Sequence, residues 1–319
     1  MKSGKTFETR KPTVIIPYDG PRYDGRCNDV VLYLRPETNG VMVESILFRV
    51  IKNKALYRKN IKICYLANLP GDFIIRNRII ERHYSVRIYF AVNGKGAFTP
   101  FMKKRFEEFF GQSFREAKIV GAFEALKVLN IGYDELFNLW VPRESILTID
   151  GQIIKRYRDL YIVNYDIPAI LHKNNNRTDI AVMIFRSTLG SEIFRKMINE
   201  MAFEFIEEKI LNPEKPLSRI FHYSKGPFEQ VLDGMGYIYK PDSEHIPYRE
   251  ISFYRYLLER GLSEKLIEGI ISHPIVQVKS KDNRKVEDSI FTYTAWMDYQ
   301  EAYSVLDRII AQPLPITPL

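Results

Sequence analysis

Cysteine is scarce in this chain, and so are the apolar runs that membrane insertion and export require. Cys27 and Cys64 are its two cysteines, a number that suits a reducing compartment and excludes a cysteine-rich zinc cluster. No apolar stretch approaches the ~20 residues that span a bilayer. The opening MKSGKTFETRKPTV lacks the apolar core of a signal peptide. These absences predict a soluble, cytoplasmic protein without a membrane partner.

Patterns that carry catalytic chemistry are missing as well. The five histidines show neither HxH nor HExxH spacing, which are the arrangements expected of a metal site. A GxSxG elbow and a GxxxxGK phosphate loop are also absent. The sequence therefore predicts no catalytic residue, no metal and no cofactor, and it leaves open whether the protein is an enzyme.

What the sequence does contain is ample material for a folded core. Hydrophobic residues make up 45% of the 319 residues and aromatic residues 13%, far more than a disordered chain carries. Strand and helix patterns are mixed, so we predict a mixed α/β (α+β) fold with an N-terminal strand–helix–strand lobe and a more helical C-terminal lobe. The predicted divisions are an irregular arm (1–29), a basic α/β lobe (30–145), a helix-rich α/β lobe (146–311) and a Pro-rich tail (312–319).

Hydrophobic periodicity predicts the individual elements. In the N-terminal lobe it predicts a strand over 61–69, a helix over 72–83 with Asp72 as its N-cap, and an alternating strand over 84–92. Elsewhere it predicts helices over 101–111 and 191–210, a buried strand over 180–186, a turn at Asp150-Gly151 between two strands, and near the C-terminus a loop over 281–288 followed by a strand over 289–296.

Charge is concentrated in one part of the chain. The window 51–100 holds ten basic and two acidic residues, a difference that equals the net charge of +8 of the whole protein. A local basic cluster is the electrostatic footprint expected for a polyanion such as RNA. A solvated basic face, or arginines paired with acids such as Glu81, is the alternative that the sequence leaves open.

The segment CYLANLP (64–70) lies inside this window and resembles the first ribonucleoprotein motif of RNA-recognition-motif domains. Tyr65, Ala67, Asn68 and Leu69 occupy the aromatic, small, Asn and Leu places of that motif. The resemblance implies that Tyr65 stacks on an RNA base from an open sheet face. The second motif does not follow, since KGAFTPF supplies only Lys95 and Gly96 of it, and we do not assign the chain to this family.

Our leading hypothesis from the sequence is a non-enzymatic nucleic-acid-binding protein, with RNA first among its ligands, that uses the face formed by residues 61–96. Arginines and lysines would neutralise phosphates, and tyrosines would stack on bases. The predicted nucleic-acid-binding residues are Tyr65, Arg76, Arg78, Arg82, Arg87, Tyr89 and Lys95.

A second candidate site is the turn before the longest predicted helix. A buried strand runs into a Ser-, Thr- and Gly-rich turn, and backbone N–H groups at a helix start bind anions. The predicted anion-binding residues are Arg186, Ser187, Thr188, Gly190 and Ser191. A cap with a purely structural role is the alternative interpretation of the same residues.

Three carboxylates recur every five residues in the arm, at Asp19, Asp24 and Asp29. They have the chemistry to hold Mg²⁺, although a salt-linked irregular arm is the interpretation that the Asp-Gly turns favour. Two further function classes therefore stay open. One is a protein–protein interaction or scaffold component, and the other is an enzyme that binds a phosphate-bearing substrate at residues 186–191.

Overall fold

The computed structural model of the chain describes residues 9–22, 28–175, 177–280 and 282–314. The predicted arm and the predicted tail lie partly outside these ranges, and Asp24 lies wholly outside them. The strands are β1 (Thr13–Ile16), β2 (Asn28–Leu34), β3 (Ile61–Leu69), β4 (Lys118–Gly121), β5 (Ile146–Ile149), β6 (Gln152–Tyr157), β7 (Leu160–Val163), β8 (Ile180–Ser187), β9 (Phe221–Tyr223), β10 (Ile275–Lys279), β11 (Lys285–Ser289) and β12 (Ile309–Ala311).

The α-helices are α1 (Val41–Asn53), α2 (Ala55–Asn60), α3 (Gly71–Arg76), α4 (Ile79–His83), α5 (Ser85–Asn93), α6 (Pro100–Phe110), α7 (Ala122–Leu129), α8 (Tyr133–Asn138), α9 (Ile167–Lys173), α10 (Ser191–Glu207), α11 (Pro227–Tyr237), α12 (Ser252–Glu259), α13 (Glu264–Ser272), α14 (Ile290–Tyr293) and α15 (Tyr299–Leu306). Short 3-10 helices lie at Gly94–Ala97, Arg143–Ser145, Leu217–Arg219 and Tyr248–Glu250. Helices and strands are mixed along the chain, so the predicted α+β class is confirmed.

The chain forms two compact units, and each unit is assembled from separate stretches of sequence. The first unit comprises residues 1–79, 174–225 and 233–256, and the second comprises 80–173, 226–232 and 257–319. The predicted boundary near residue 145 falls inside the second unit, between α8 and β5.

The first unit is built on a five-stranded sheet with the strand order β1-β3-β8-β2-β9. Every pairing in this sheet is antiparallel. All eight residues of the central strand β8 are buried, which explains why its sequence IAVMIFRS is a nearly continuous apolar run rather than an alternating one. The helices α1 and α10 belong to the same unit and contact each other.

The second unit contains two smaller sheets. In the first, β4 runs parallel to β7, and the antiparallel strands β6 and β5 complete the order β4-β7-β6-β5. The second has the order β11-β10-β12. Aromatic rings form much of the core between α5, α6 and the first of these sheets, with Phe90, Phe98, Phe106, Phe114 and Tyr161 all buried in one hydrophobic cluster.

Several element predictions are confirmed. Strand β3 matches the predicted strand over 61–69, β8 matches the predicted buried strand, and α6 and α10 match the predicted helices to within a few residues. The turn at Asp150-Gly151 joins the antiparallel strands β5 and β6. Asp150 has a φ of 49° and Gly151 a φ of 76°, the left-handed conformation that a two-residue hairpin turn needs.

The predictions for three segments are wrong. Residues 84–92 form the helix α5 rather than a strand, because Tyr84, Ile88 and Ala91 are buried at helical spacing. The predicted helix over 72–83 is divided into α3 and α4 at Arg78, whose φ is 50°, and Pro70 occupies the N-cap position. Near the C-terminus, β11 occupies the predicted loop and α14 the predicted strand.

Candidate nucleic-acid interface

Tyr65, the residue that carries the resemblance to the ribonucleoprotein motif, lies inside the first unit. Its side chain is fully buried. The phenol oxygen donates a hydrogen bond to the carbonyl of Tyr239 and accepts one from the Tyr239 amide at 2.9 Å. Burial raises the pKa of this phenol. In this conformation the ring presents no face to a base.

Two of the predicted arginines follow β3 in the first unit. Arg76 and Arg78 are both exposed. The guanidinium of Arg76 donates a hydrogen bond to Thr9 Oγ1 at 2.9 Å. These two side chains are accessible to a ligand.

The other four predicted residues belong to the second unit. Arg82 is exposed, whereas Arg87 is half-buried and pairs with Asp166 at 2.8 Å. Tyr89 packs against the aromatic core cluster. Lys95 donates hydrogen bonds to the carbonyls of Arg115 and Ala117. Arg87, Tyr89 and Lys95 therefore hold parts of the second unit together in this structure.

The densest basic stretch of the first unit begins before the predicted face. Residues 52–62, KNKALYRKNIK, contain five basic residues and no acidic residue. We call this stretch the basic segment. It runs from the last turn of α1 through α2 to the start of β3, and its five basic side chains are all exposed: Lys52, Lys54, Arg58, Lys59 and Lys62.

Acidic neighbours engage two of these five cations. Lys54 pairs with Glu200 at 2.6 Å, and Lys62 pairs with Asp19 at 2.7 Å. Within the described part of the chain, the other three, Lys52, Arg58 and Lys59, form no ion pair. The basic segment thus carries three cationic side chains whose charges are not neutralised by a described carboxylate.

Two side chains, one of them buried and the other hydrogen-bonded, hold the short helix α2 in place. This helix carries Arg58 and Lys59. Tyr57 is buried, and burial, followed by the nearby carboxylate of Glu200, raises the pKa of its phenol to about 12. Asn60 donates to the carbonyl of Leu56 and accepts a hydrogen bond from Thr188 Oγ1 at 2.9 Å. The cations of α2 are therefore displayed on a helix that is anchored at both of its ends.

The predicted anion-binding residue Arg186 is the centre of a buried ion-pair network. Its guanidinium donates to both carboxylate oxygens of Asp29, to Asp19 at 2.8 Å and to the carbonyl of Gly20. A guanidinium has five N–H groups, and four of them are used here. Arg186 is 5% exposed and is not available to an external anion.

The remaining residues of the predicted anion site have local partners. Ser187 is buried and accepts a hydrogen bond from the amide of Leu189, and Thr188 bonds to Asn60. Gly190 is the N-cap of α10 and provides no side-chain cap, and Ser191 follows it as the first helical residue. Arg186 is therefore held inside the protein, and no side chain of this group caps α10.

Asp19 and Asp29, the two described carboxylates of the predicted triplet, belong to the same network. Asp29 accepts further hydrogen bonds from Ser252 Oγ at 2.6 Å and from the Tyr18 hydroxyl. With Asp19 held by Arg186 and Lys62, two carboxylates face two cations and the cluster is neutral. This arrangement agrees with the salt-linked interpretation of the arm for those carboxylates that are described.

A groove of about 360 Å³ lies along α1 and α10, next to the basic segment. Its lining includes Lys54, Asn53, Val50, Asn199 and Phe203. Phe203 is 60% exposed, which is unusual for a ring of this size. Sequence reasoning missed the groove, because α1 and α10 are about 150 residues apart in the chain and each helix alone shows an ordinary amphipathic pattern.

No family model, curated protein or solved structure matches this chain. Among the described helices, none combines the length and the apolar composition that crossing a bilayer requires.

Proposed function

We propose that the protein binds single-stranded nucleic acid, RNA first, through the basic segment. The observation that carries the proposal is the group formed by Lys52, Arg58 and Lys59, which are exposed and form no ion pair with a described residue. Phosphate contacts of this kind supply most of the sequence-independent affinity for nucleic acids. The proposal includes a cytoplasmic location, as the scarcity of cysteine predicts.

The physical argument concerns the charge that remains after internal pairing. Lys54 and Lys62 are matched by Glu200 and Asp19, so their fields are largely cancelled at a distance. The three remaining cations stand on the last turn of α1 and on α2, and an approaching phosphate chain would release its counterions on contact with them. Arg76 and Arg78 beyond β3 provide further contacts for a longer strand.

Neutralisation of the three cations tests the proposal. We would replace Lys52, Arg58 and Lys59 together by Gln and titrate a labelled single-stranded RNA at several salt concentrations. Each phosphate contact to a single strand contributes about 0.7 to the slope of log K against log salt. Loss of three contacts should therefore reduce the magnitude of that slope by about 2.

The matched control replaces Lys127, Arg143 and Lys265 by Gln. These three residues are also exposed and also form no ion pair with a described residue, but they belong to the second unit. The control variant loses the same total charge and should keep the slope of the parent. Equal slopes for the basic-segment variant and the parent would refute the proposal.

A protein partner is the second candidate function, and one observation favours it. Val41 and Met42 at the start of α1 are 79% and 67% exposed, and Met is a residue that interfaces use for adaptable apolar contacts. If the parent protein fails to bind any nucleic acid, crosslinking from this end of α1 is the experiment to follow. The phosphate-substrate enzyme gains no such support, since Arg186 is buried and its charge is already paired with Asp29 and Asp19.

A further inference from the structure

The groove between α1 and α10 has a composition that differs from the basic segment beside it. The basic segment offers mainly unpaired charge, whereas the groove combines charges that are paired with one another with an exposed aromatic ring and two carboxamides, those of Asn53 and Asn199. Charge alone binds any polyanion. An aromatic ring and carboxamides are the groups that distinguish a nucleotide from a bare phosphate.

We propose that this groove holds a base of a single-stranded RNA, with Phe203 stacked on the base and the carboxamides of Asn53 and Asn199 hydrogen-bonded to its edge. The inference rests on the proposed function and assigns to it the part of the ligand that the basic segment does not contact. A site of this kind would bind a nucleic acid through its bases as well as through its phosphates.

Phe203 is the residue on which the stacking argument depends. Its ring is 60% exposed on α10, and no aromatic contact to a described residue covers it. Base–aromatic stacking tolerates every base, because each of them has a π-face. The volume of about 360 Å³ lies within the range of small-ligand sites.

The two carboxamides have free hydrogen-bonding capacity. Asn53 and Asn199 are exposed, and neither side chain forms a hydrogen bond with another described residue. A carboxamide can donate and accept at once, which matches the paired donors and acceptors on base edges. Two of them beside one ring are suited to reading an unstacked base.

The charges around the groove fix which way the nucleotide lies. Lys54 lines the groove and also belongs to the basic segment, so the two surfaces are continuous. Within the groove Lys54 pairs with Glu200, and Arg49 is shared by Glu204 and Glu208, which leaves one carboxylate in excess. The phosphates therefore lie towards the unpaired cations of the basic segment, Lys52, Arg58 and Lys59, and the base lies in the groove.

The test replaces Phe203 by Ala in the full chain and measures binding of two probes, a labelled single-stranded RNA and inorganic polyphosphate, which has no bases. Loss of one stacked base should weaken RNA binding by about 5- to 150-fold. Binding of polyphosphate should not change, because it depends on the basic segment alone.

Three further variants make the outcome interpretable. Phe203→Trp should keep the affinity for RNA, whereas Phe203→Leu, which keeps an apolar side chain but has no π-face, should lose it. Phe109→Ala is the matched control, because Phe109 is a 45% exposed phenylalanine of the second unit. It should bind both probes as the parent does.

The possible results distinguish failure of the proposed function from failure of the base pocket. A parent protein that binds no RNA overturns the proposed function and this inference with it. A parent that binds RNA, together with Phe203→Ala that binds it equally well, overturns the base pocket and leaves the phosphate surface standing. An equal loss of RNA and polyphosphate binding in Phe203→Ala also overturns the pocket, because the contribution of Phe203 would then not depend on the presence of bases in the ligand.

Discussion

Asp150 occupies the turn between β5 and β6 with its carboxyl group buried; the residue is 4% exposed. Burial, and then the nearby carboxylates of Glu287 and Asp288, raise its pKa to about 8. Glu287 is buried too and accepts hydrogen bonds from Thr99 Oγ1 and from Gln277 Nε2. Two acidic side chains, one from the turn and one from β11, therefore lie together in a region that water does not screen.

The raised pKa of Asp150 predicts a stability that depends on pH. The folded state holds this proton up to about pH 8, whereas the unfolded chain releases it near pH 4. Between these values the folded state binds more protons, so the free energy of unfolding falls as pH rises, by up to about 1.4 kcal/mol per pH unit. Urea unfolding at a series of pH values measures this slope.

Replacement of Asp150 by Asn should reduce the slope. The part that remains belongs to the other carboxyl groups whose pKa burial raises, which are Asp288 (to about 6), Asp233 and Glu44. Asp159→Asn is the control, since Asp159 is exposed and its pKa is lowered by Lys118 rather than raised. An unchanged slope in Asp150→Asn would show that this carboxyl group does not titrate in that range.

Single residues are also where sequence reasoning about the site fails most clearly. The sequence around Arg186 predicts a cation beside a turn. Its partners Asp29 and Asp19 are 157 and 167 residues away in the chain, so no local pattern predicts these ion pairs. The sequence around Tyr65 predicts an aromatic residue on a strand. A strand pattern does not indicate which face of the sheet is buried by other parts of the protein. Residue type and local charge were enough to locate the basic window, because exposure is the usual state of Lys and Arg.

At the scale of elements, a close approach of two backbones connects α5 with the junction of β4 and α7. Gly94 ends α5 with a φ of +47°, and a Cβ there would lie 2.5 Å from the amide nitrogen of Gly121. A Cβ on Gly121 would lie 2.1 Å from the carbonyl oxygen of Ala91. Both distances are shorter than any Cβ contact allows, so glycine is required on both sides.

Gly121→Ala should therefore destabilise the protein. The added methyl group must push α5 away from β4, and overpacking of this kind costs about 1–3 kcal/mol. Gly96→Ala is the matched control, because a Cβ at Gly96 meets nothing within 4 Å and should change the free energy of unfolding by less than about 1 kcal/mol. Chemical unfolding of both variants checks the difference, and equal stabilities would contradict the close approach.

The same helix shows what periodicity can and cannot decide. Residues 84–92 alternate apolar and polar, and they also place Tyr84, Ile88 and Ala91 on one helical face. Both periods fit a nine-residue stretch, and its packing in the second unit selects the helix. Longer or more uniform patterns were predicted well. The helix α10 has 17 residues, and over that length its apolar residues fit only the helical period. The strand β8 is apolar along nearly its whole length.

At the scale of the whole molecule, each unit draws on distant parts of the sequence. The central strand β8 of the first unit is hydrogen-bonded to β3 on one side and to β2 on the other. It comes from a different stretch of the chain than either neighbour. The composition of the sequence does not change where the chain passes from one unit to the other. The sequence therefore predicts two lobes that follow each other along the chain.

This interleaving predicts that a fragment comprising residues 1–145 does not fold. The fragment lacks β8, so β2 and β3 lose the strand that joins them and expose unpaired backbone groups. We expect poor amide dispersion in NMR spectra and no cooperative unfolding. The fragment 80–173, which carries the whole four-stranded sheet of the second unit, is the comparison. A cooperative transition in the fragment 1–145 would contradict the prediction.

The position of β8 in the sheet also has a consequence during synthesis on the ribosome. Asn68 at the end of β3 and Asp179 just before β8 are hydrogen-bonded and 111 residues apart. At about 5–20 residues per second, roughly 6 to 20 seconds pass between the emergence of the two. Throughout that time β2 and β3 are complete but unpaired on the sides that β8 will occupy. The nascent chain must therefore carry two apolar strand edges, open to other nascent chains and to chaperones, for the whole time in which the residues between β3 and the end of β8 are made.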